Sequence, residues 1–232
     1  MIPCVSVQNM RSSDAYTIAN FVPSLELMYR AAKGIYKAVD WKGNVAIVTG
    51  SGNNGGDGFA LACILKDKGI ACTVFTVSEH LSGDSAFYAE QAADQHIERR
   101  KFTEDCLSGF AIVVDCLLGT GFQGQLRSEY RVAIEAINAS GAYVVSADIN
   151  SGMNGDTGYA EIAVRSDLTV TIGFVKTGLI TQNAGKYIGK LVCVDIGIIL
   201  EKEELWISDR EETGSSILRC PAWLDMNVQK VC

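Results

Sequence analysis

The side chains in this 232-residue sequence that could do chemistry fall in clusters far apart along the chain. The first is Gly50-Ser51-Gly52-Asn53-Asn54-Gly55-Gly56-Asp57-Gly58. Its glycines at 50, 52 and 55 meet the G-x-G-x-x-G spacing, which lets backbone N–H groups approach an anionic group at a helix N-terminus. That spacing alone is common. Asn53, Asn54 and Asp57 are the informative part, because they add amide oxygens and a carboxylate that a loop holding only a pyrophosphate does not need. The second cluster is Asp115-Cys116-Leu117-Leu118-Gly119-Thr120-Gly121-Phe122-Gln123-Gly124-Gln125, and the third is Asp148-Ile149-Asn150-Ser151-Gly152-Met153-Asn154. Brought together, an Asn amide, an Asp carboxylate and a Ser hydroxyl suit a hard cation, with backbone carbonyls completing its shell. The remaining Asp is then available as a general acid or base.

Taken singly, each residue has a plainer explanation. Asp57 suits a helix N-cap. Asp115 suits a strand end that accepts N–H groups from its own turn, and Asp148-x-x-Ser151 suits a turn and cap. Lys176, after Ile172-Gly173-Phe174-Val175, reads alone as a solvated surface lysine.

The elements that must position these clusters alternate between strand and helix. Val45–Thr49 is an apolar run that feeds the glycine loop, and a helix then runs to about Lys68. Strands follow at 72–77, 110–114, 142–147, 168–172 and 191–194, with helices over about 82–94 and 128–138. Upstream, Asp14 to Asp40 reads as a long amphipathic helix, with Leu25, Met28, Ala32, Ile35 and Val39 in its stripe and Ser24 placed as an N-cap. Near-continuous apolar strands between helices predict an α/β, Rossmann-like three-layer sandwich: a mostly parallel sheet with helices on both faces. In such sheets ligands bind outside the carboxyl ends of the strands, where all the clusters fall. From Leu200 the pattern dissolves, so residues 1–199 are read as the domain and 200–232 as a peripheral or disordered extension.

Composition narrows the function. A net charge of −7 excludes a nucleic-acid footprint, and no run reaches the ~20 apolar residues of a membrane span. Residues 1–9 show no signal-peptide pattern. The cysteines number 8, and Cys63, Cys72, Cys106, Cys116 and Cys193 lie inside or beside apolar runs without close metal spacing, as reduced thiols would, so a cytoplasmic location is expected. With 2 histidines, zinc sites and histidine triads are disfavoured.

The combined motifs resemble one family. The glycine loop matches G-x-G-N-N-G-G-D-G of the NAD(P)H-hydrate (NAD(P)HX) epimerase family, the YjeF N-terminal domain. Asp115 to Gly121 is similar to its D-x-L-x-G-T-G, and Asp148-Ile149-Asn150-Ser151-Gly152 with Thr157-Gly158 is similar to its D-I-P-S-G and later T-G. Met10-Arg11-Ser12-Ser13-Asp14, Pro23 to Met28 and Asp195-Ile196-Gly197-Ile198 resemble the flanks, so the likeness spans about residues 9–198.

The resemblance implies a homodimer that interconverts the R and S forms of hydrated NADH and NADPH, serving a dehydratase that accepts one epimer. It implies a potassium ion on Asn54, Asp115 and Ser151. It places the substrate against Asn53, Asn54, Gly55, Gly56 and Asp57, against Gly119, Thr120, Gly121, Phe122, Gln123, Gly124 and Gln125, and against Asp148. Asp148 is the implied general acid/base, with Lys176 assisting. One departure is Asn150, which stands where the family has proline and loses a ring that would fix φ.

Two other readings compete. An NAD-dependent dehydrogenase would use the glycine loop, with Glu79 as its ribose acid roughly 20 residues on. However, Tyr29-x-x-x-Lys33 precedes the loop, the wrong order for a reductase dyad. A non-catalytic scaffold domain of the same family would be expected to lose motif residues, and Asn54, Asp115, Asp148 and Ser151 are all present.

Overall fold

The computed structural model describes residues 2–81, 83–202, 205–208, 217–219 and 225–230. In chain order its elements are β1 (Ile2–Val5), α1 (Val7–Asn20), α2 (Ser24–Ala38), β2 (Val45–Thr49), α3 (Asn53–Asp67), β3 (Cys72–Thr76), α4 (Asp84–Asp94) and β4 (Glu98–Lys101). They continue with β5 (Ile112–Cys116), α5 (Ser128–Ala139), β6 (Tyr143–Ala147), β7 (Ser166–Ile172), β8 (Val175–Lys176), β9 (Ile188–Asp195), β10 (Leu205–Ser208), β11 (Ile217–Arg219) and β12 (Asp225–Lys230).

The main sheet has 8 strands in the order β12-β9-β7-β6-β5-β2-β3-β4, and every neighbouring pair is parallel. Alternation along β2 shows why both faces are covered. Val45 and Ile47 pack with Leu27, Met28, Ile35, Phe59 and Leu61 of α2 and α3, whereas Ala46 and Val48 pack with Ala133, Ile134 and Ile137 of α5. The sheet between helices is the expected three-layer sandwich. From β2 the chain winds through β3 to β4, then returns to β2's other side and continues through β5 and β6. The winding reverses between β2 and β5, and in open parallel sheets such a reversal opens a crevice at the carboxyl ends.

β4 lies outside the strands expected from sequence. Its residues, Glu98 to Lys101, are all exposed, and a charged edge strand has no apolar run to betray it. A smaller sheet, β11-β10-β1-β8, pairs the N-terminal strand with the short strand that carries Lys176. Within 200–232, β11 and β12 are edge strands and β10 lies between β11 and β1; apart from these strands and residues 200–202, that segment lies outside the described residues. Among the described residues no helix is long and apolar enough to cross a membrane.

The single helix expected over 14–40 is two. Val22 precedes Pro23, which disfavours helical backbone there, and the chain breaks between α1 and α2. Pro23 rather than Ser24 occupies the N-cap of α2, and no side chain caps it. Helix α1 starts earlier, where Ser6 Oγ accepts from Asn9 N–H. It has no apolar stripe to read, because part of its buried face is polar. Asn9, Ser13 and Thr17, four residues apart, are all buried. They grip the backbone that leaves β9: Ile199 N–H donates to Thr17 Oγ1, Glu201 N–H to Ser13 Oγ, and Asn9 Nδ2 donates to the Lys202 carbonyl.

Ser13 Oγ also donates to Asn9 Oδ1. Ser13→Ala therefore leaves two groups unpaired at no cost in shape. We expect a loss of about 1–3 kcal/mol, read as a melting temperature lower by roughly 2–4 °C per kcal/mol. An unchanged melting temperature would mean that the stripe does not hold α1.

Candidate functional site

The glycine loop turns from β2 into α3 with almost no room to spare. A Cβ on Gly50 would lie 2.1 Å from the Leu117 carbonyl, and one on Gly55 would lie 2.3 Å from the Gly50 carbonyl. Gly52 is the N-cap of α3 and offers no side-chain cap, so the first N–H groups of the helix face outward, as anion sites do. The Gly52 carbonyl is braced by Ser85 Oγ of α4, which donates to it at 2.7 Å. Asp57 is not the cap that it could have been from sequence. It sits in the second turn of α3, 9% exposed, with its carboxylate toward the cavity.

A cavity of about 550 Å³ opens at the carboxyl ends of the strands, within the range of small-molecule sites. Asn53, Asn54 and Asp57 line one wall; Gly119, Thr120, Gly121, Phe122, Gln123 and Gln125 line another. Asp148 and Lys176 form its floor. Gly55 and Gly56 do not line it: Gly55 packs on Gly50, and a Cβ on Gly56 would strike Met28 Sδ at 2.6 Å. Gly124, at φ +88°, is likewise outside the lining, as are Asp115 and Ser151 beneath it.

The floor is a buried ion pair. Lys176, 1% exposed, is no surface lysine. Its ammonium donates to Asp148 Oδ1, to Thr171 Oγ1 at 3.1 Å and to the Ile172 carbonyl at 2.7 Å, which uses all its protons. Lys176 therefore holds Asp148 and has no proton left to offer a ligand. Asp148 Oδ2 accepts from Thr120 N–H at 3.2 Å. The backbone of Asp148 lies at φ +65°, in a three-residue turn closed by Ile149 N–H on the Ala147 carbonyl. Positive φ at a non-glycine residue persists only where surrounding contacts enforce it, and it concentrates at functional sites.

Asp115 is fully buried and acts as the staple below. Its carboxylate accepts from Leu117 N–H (3.2 Å), Ser146 Oγ (2.9 Å), Ser151 N–H (2.9 Å) and Ser151 Oγ (2.5 Å). The second and third clusters are thereby joined. Burial pushes the Asp115 carboxyl up, against the pull of these donors. Ser151 Oγ also accepts from Leu118 N–H and keeps one lone pair.

Asn54 is the exception to this saturation: it is 7% exposed, and neither its amide oxygen nor its nitrogen has a partner. Buried amides are normally paired, so an orphan at a cavity wall points to a missing ligand. Only Gly119 lets Asn54 and Asp148 approach across it, since a Cβ there would be 3.0 Å from Asp148 Oδ2 and 3.4 Å from Asn54 Cβ. The Asn54 oxygen, the spare Ser151 lone pair and the nearby carboxylate make a donor set that fits an oxygen-liganded cation.

Among the lining residues without a role expected from sequence are Arg11 and Asp14 of α1. Their only signal was the likeness of residues 10–14 to the family's opening helix. Arg11 Nη2 donates to the Thr120 carbonyl at 2.7 Å. Asp14 is half-buried, and its carboxyl is raised by burial, then by Asp148, with Lys176 opposing. Asp57 is raised further, by burial first and then by Asp148 and Asp14. Glu79, the acid a dehydrogenase would need, is instead exposed, 3.8 Å from Lys101. Tyr29 and Lys33 are outside the lining.

A family match then places the chain. Residues 24–178 fit the family described as YjeF-related protein N-terminus. The chain belongs to that family. An NAD(P)H-hydrate epimerase of Rhodopirellula baltica is 36% identical over 86% of each chain. Another, of Limosilactobacillus fermentum, is 31% identical over 82% of this chain and 95% of its own. A bifunctional NAD(P)H-hydrate repair enzyme of Coxiella burnetii is 33% identical, and the match spans 41% of its length. The crystal structure of yeast ynu0 shares the fold, with a TM-score of 0.68 at 20% identity over 75% of this chain and 82% of that one.

The raised Asp57 carboxyl carries a stability consequence. A carboxyl whose folded pKa lies above its unfolded value favours the folded state at low pH and loses that contribution as pH rises through the folded value. Asp57→Asn should therefore raise the melting temperature at pH 8 and change it little at pH 4, the gap widening with pH. A gap that shrinks with pH would contradict the burial argument.

Proposed function

We propose that this YjeF N-terminal domain is an NAD(P)H-hydrate epimerase, an isomerase that interconverts the R and S forms of hydrated NADH and NADPH. The observation that carries this reading is the buried Lys176–Asp148 pair, which opens onto a cavity walled by the Asn53–Asp57 turn and the 119–125 loop. The epimerases among its relatives support it.

The outward N–H groups of α3 suit the pyrophosphate of the nucleotide. The loop from Gly119 to Gln125 borders the nicotinamide end. Asp148 is the general acid/base at C6, the ring carbon that bears the hydroxyl. Lys176 keeps one carboxylate oxygen fixed, and Thr120 N–H orients the other. Potassium would be held by Asn54, Ser151 and Asp115, where it supplies fixed positive charge against the anionic nucleotide. The Asn54 amide, buried without a partner, is the residue that most needs it.

The working unit is a homodimer in this reading. Its functional partner is an NAD(P)H-hydrate dehydratase, in keeping with the bifunctional repair enzymes among its relatives. A reducing cytoplasm suits Cys4, Cys63, Cys72, Cys106, Cys116 and Cys193, which form no disulfide among the described residues.

The test begins with purified R-NADHX and follows the epimer ratio by chromatography, with and without potassium. The expected result is rapid approach to the equilibrium mixture, faster with potassium, and a loss of about 10²–10⁴-fold for Asp148→Asn. No acceleration over the spontaneous rate while the nucleotide still binds would make the chain a non-catalytic binding domain.

A further inference from the structure

Epimerisation at C6 makes a demand that one carboxylate on one side meets poorly. C6 carries a hydroxyl and is bonded to the ring nitrogen. In the first step the C6–O bond breaks, the nitrogen lone pair forms a C6=N bond, and the departing hydroxide takes a proton and leaves as water. In the second step a water adds to the opposite face. The new C6–O bond forms, the C6=N pair returns to nitrogen, and the proton of the water passes to a base. One water leaves, one enters, and one proton moves from donor to acceptor. Because departure and return use opposite faces of the ring, donor and acceptor must stand on different walls.

We propose that Asp14, reaching the cavity from α1, is the second catalytic carboxylate, serving the face of the ring that Asp148 does not. The proposal rests on the epimerase reading above. Met10, Arg11, Asp14 and Ile18 share one face of α1, and all line the cavity. Asp148 enters from a different element, the end of β6. No hydrogen bond or ion pair to another described residue ties up the Asp14 carboxylate, whereas Asp148 is held by Lys176 and Thr120 and Asp115 by Leu117, Ser146 and Ser151. A carboxylate left free, half-buried and turned to a ligand cavity has no structural task there.

Its wall is built to be fixed. Asn9, Ser13 and Thr17, on the neighbouring face of α1, grip residues 199–202. Arg11 donates to the Thr120 carbonyl, and Thr120 N–H donates to Asp148, so a direct chain of bonds sets one carboxylate's helix against the other. Burial and the Asp148 charge both favour the protonated form of Asp14, which suits a donor to the leaving hydroxide. In the reverse direction the roles exchange, and water in the cavity resets the proton.

Oxygen exchange separates the two faces. The wild-type protein and Asp14→Asn are incubated with each pure epimer in water enriched in heavy oxygen, and epimer ratio and label at C6 are followed together. Wild type should label both epimers as it interconverts them. In the variant we expect epimerisation to fall about 100-fold or more. One epimer, whose hydroxyl faces Asp148, should keep taking up label within about threefold of the wild-type rate, and the other should not. Asp14→Ser, read the same way, covers a failure of the first variant to fold.

Epimerisation within about threefold of wild type would overturn the proposal. So would parallel loss of epimerisation and of label from both epimers, which would make Asp14 structural. Wild type that neither epimerises nor labels would refute the epimerase reading itself, a separate outcome.

Discussion

The buried pair of Lys176 and Asp148 is the constraint around which this end of the sheet is arranged. An ammonium that is 1% exposed costs several kcal/mol in lost hydration unless every proton finds a partner. Asp148, Thr171 and the Ile172 carbonyl supply those partners, and each supplier needs its own scaffold. Thr171 and Ile172 come from β7 in the main sheet. Lys176 comes from β8, whose register is set by β1, with Val5 opposite Lys176. The N-terminal strand, remote in sequence from every motif, is thus part of what aims the lysine. The same logic accounts for the backbone of Asp148: the pair fixes the carboxylate from one side while Asp148 N–H bonds the Val170 carbonyl, and between them the residue stays at φ +65°.

Asn150 shows a second way to make a turn rigid. The family's proline would do so with a ring; here an amide does it with hydrogen bonds. Asn150 is fully buried and donates to the carbonyls of Val164 and Tyr187 and to Ser166 Oγ, while its oxygen accepts from Thr169 Oγ1. The loss of rigidity that the missing ring implied is offset by this network, which ties the 148–154 turn to the start of β7 and to the segment before β9. Below it, the Asp115–Ser151 staple joins the loops after β5 and β6. The polar residues around the cavity therefore include two kinds. Asp115 and Ser151 spend most of their bonding capacity on each other and on backbone, and Asn150 spends its own on Ser166, Thr169 and backbone, whereas Asn54, Asp57 and Asp14 retain theirs for the cavity.

How much of this could be read from the sequence depended on whether the signal was local. The apolar runs at 45–49, 110–114 and 142–147 announce buried parallel strands, and the polar residues that follow them announce the rim. Lys176 was legible only as a motif residue, because nothing near it in sequence reveals that Thr171 and Asp148 close around it. Helix α1 was misread because its buried face is polar: the partners of Asn9, Ser13 and Thr17 are backbone groups of residues 199–202, beyond the reach of any periodicity. The same blindness hid Arg11 and Asp14, and β4 was missed because an edge strand made of charges follows no apolar pattern.

If Lys176 acts through Asp148, the two residues form one device, and a double-mutant cycle on kcat/KM for epimerisation tests that most directly. Asp148→Asn and Lys176→Met would be measured singly and together, each with its melting temperature as a check on folding. The account predicts that the double variant is no more than about threefold worse than the worse single variant, since removing either partner already disables the pair. Costs that multiply would show that the lysine and the aspartate work independently, and would contradict the account.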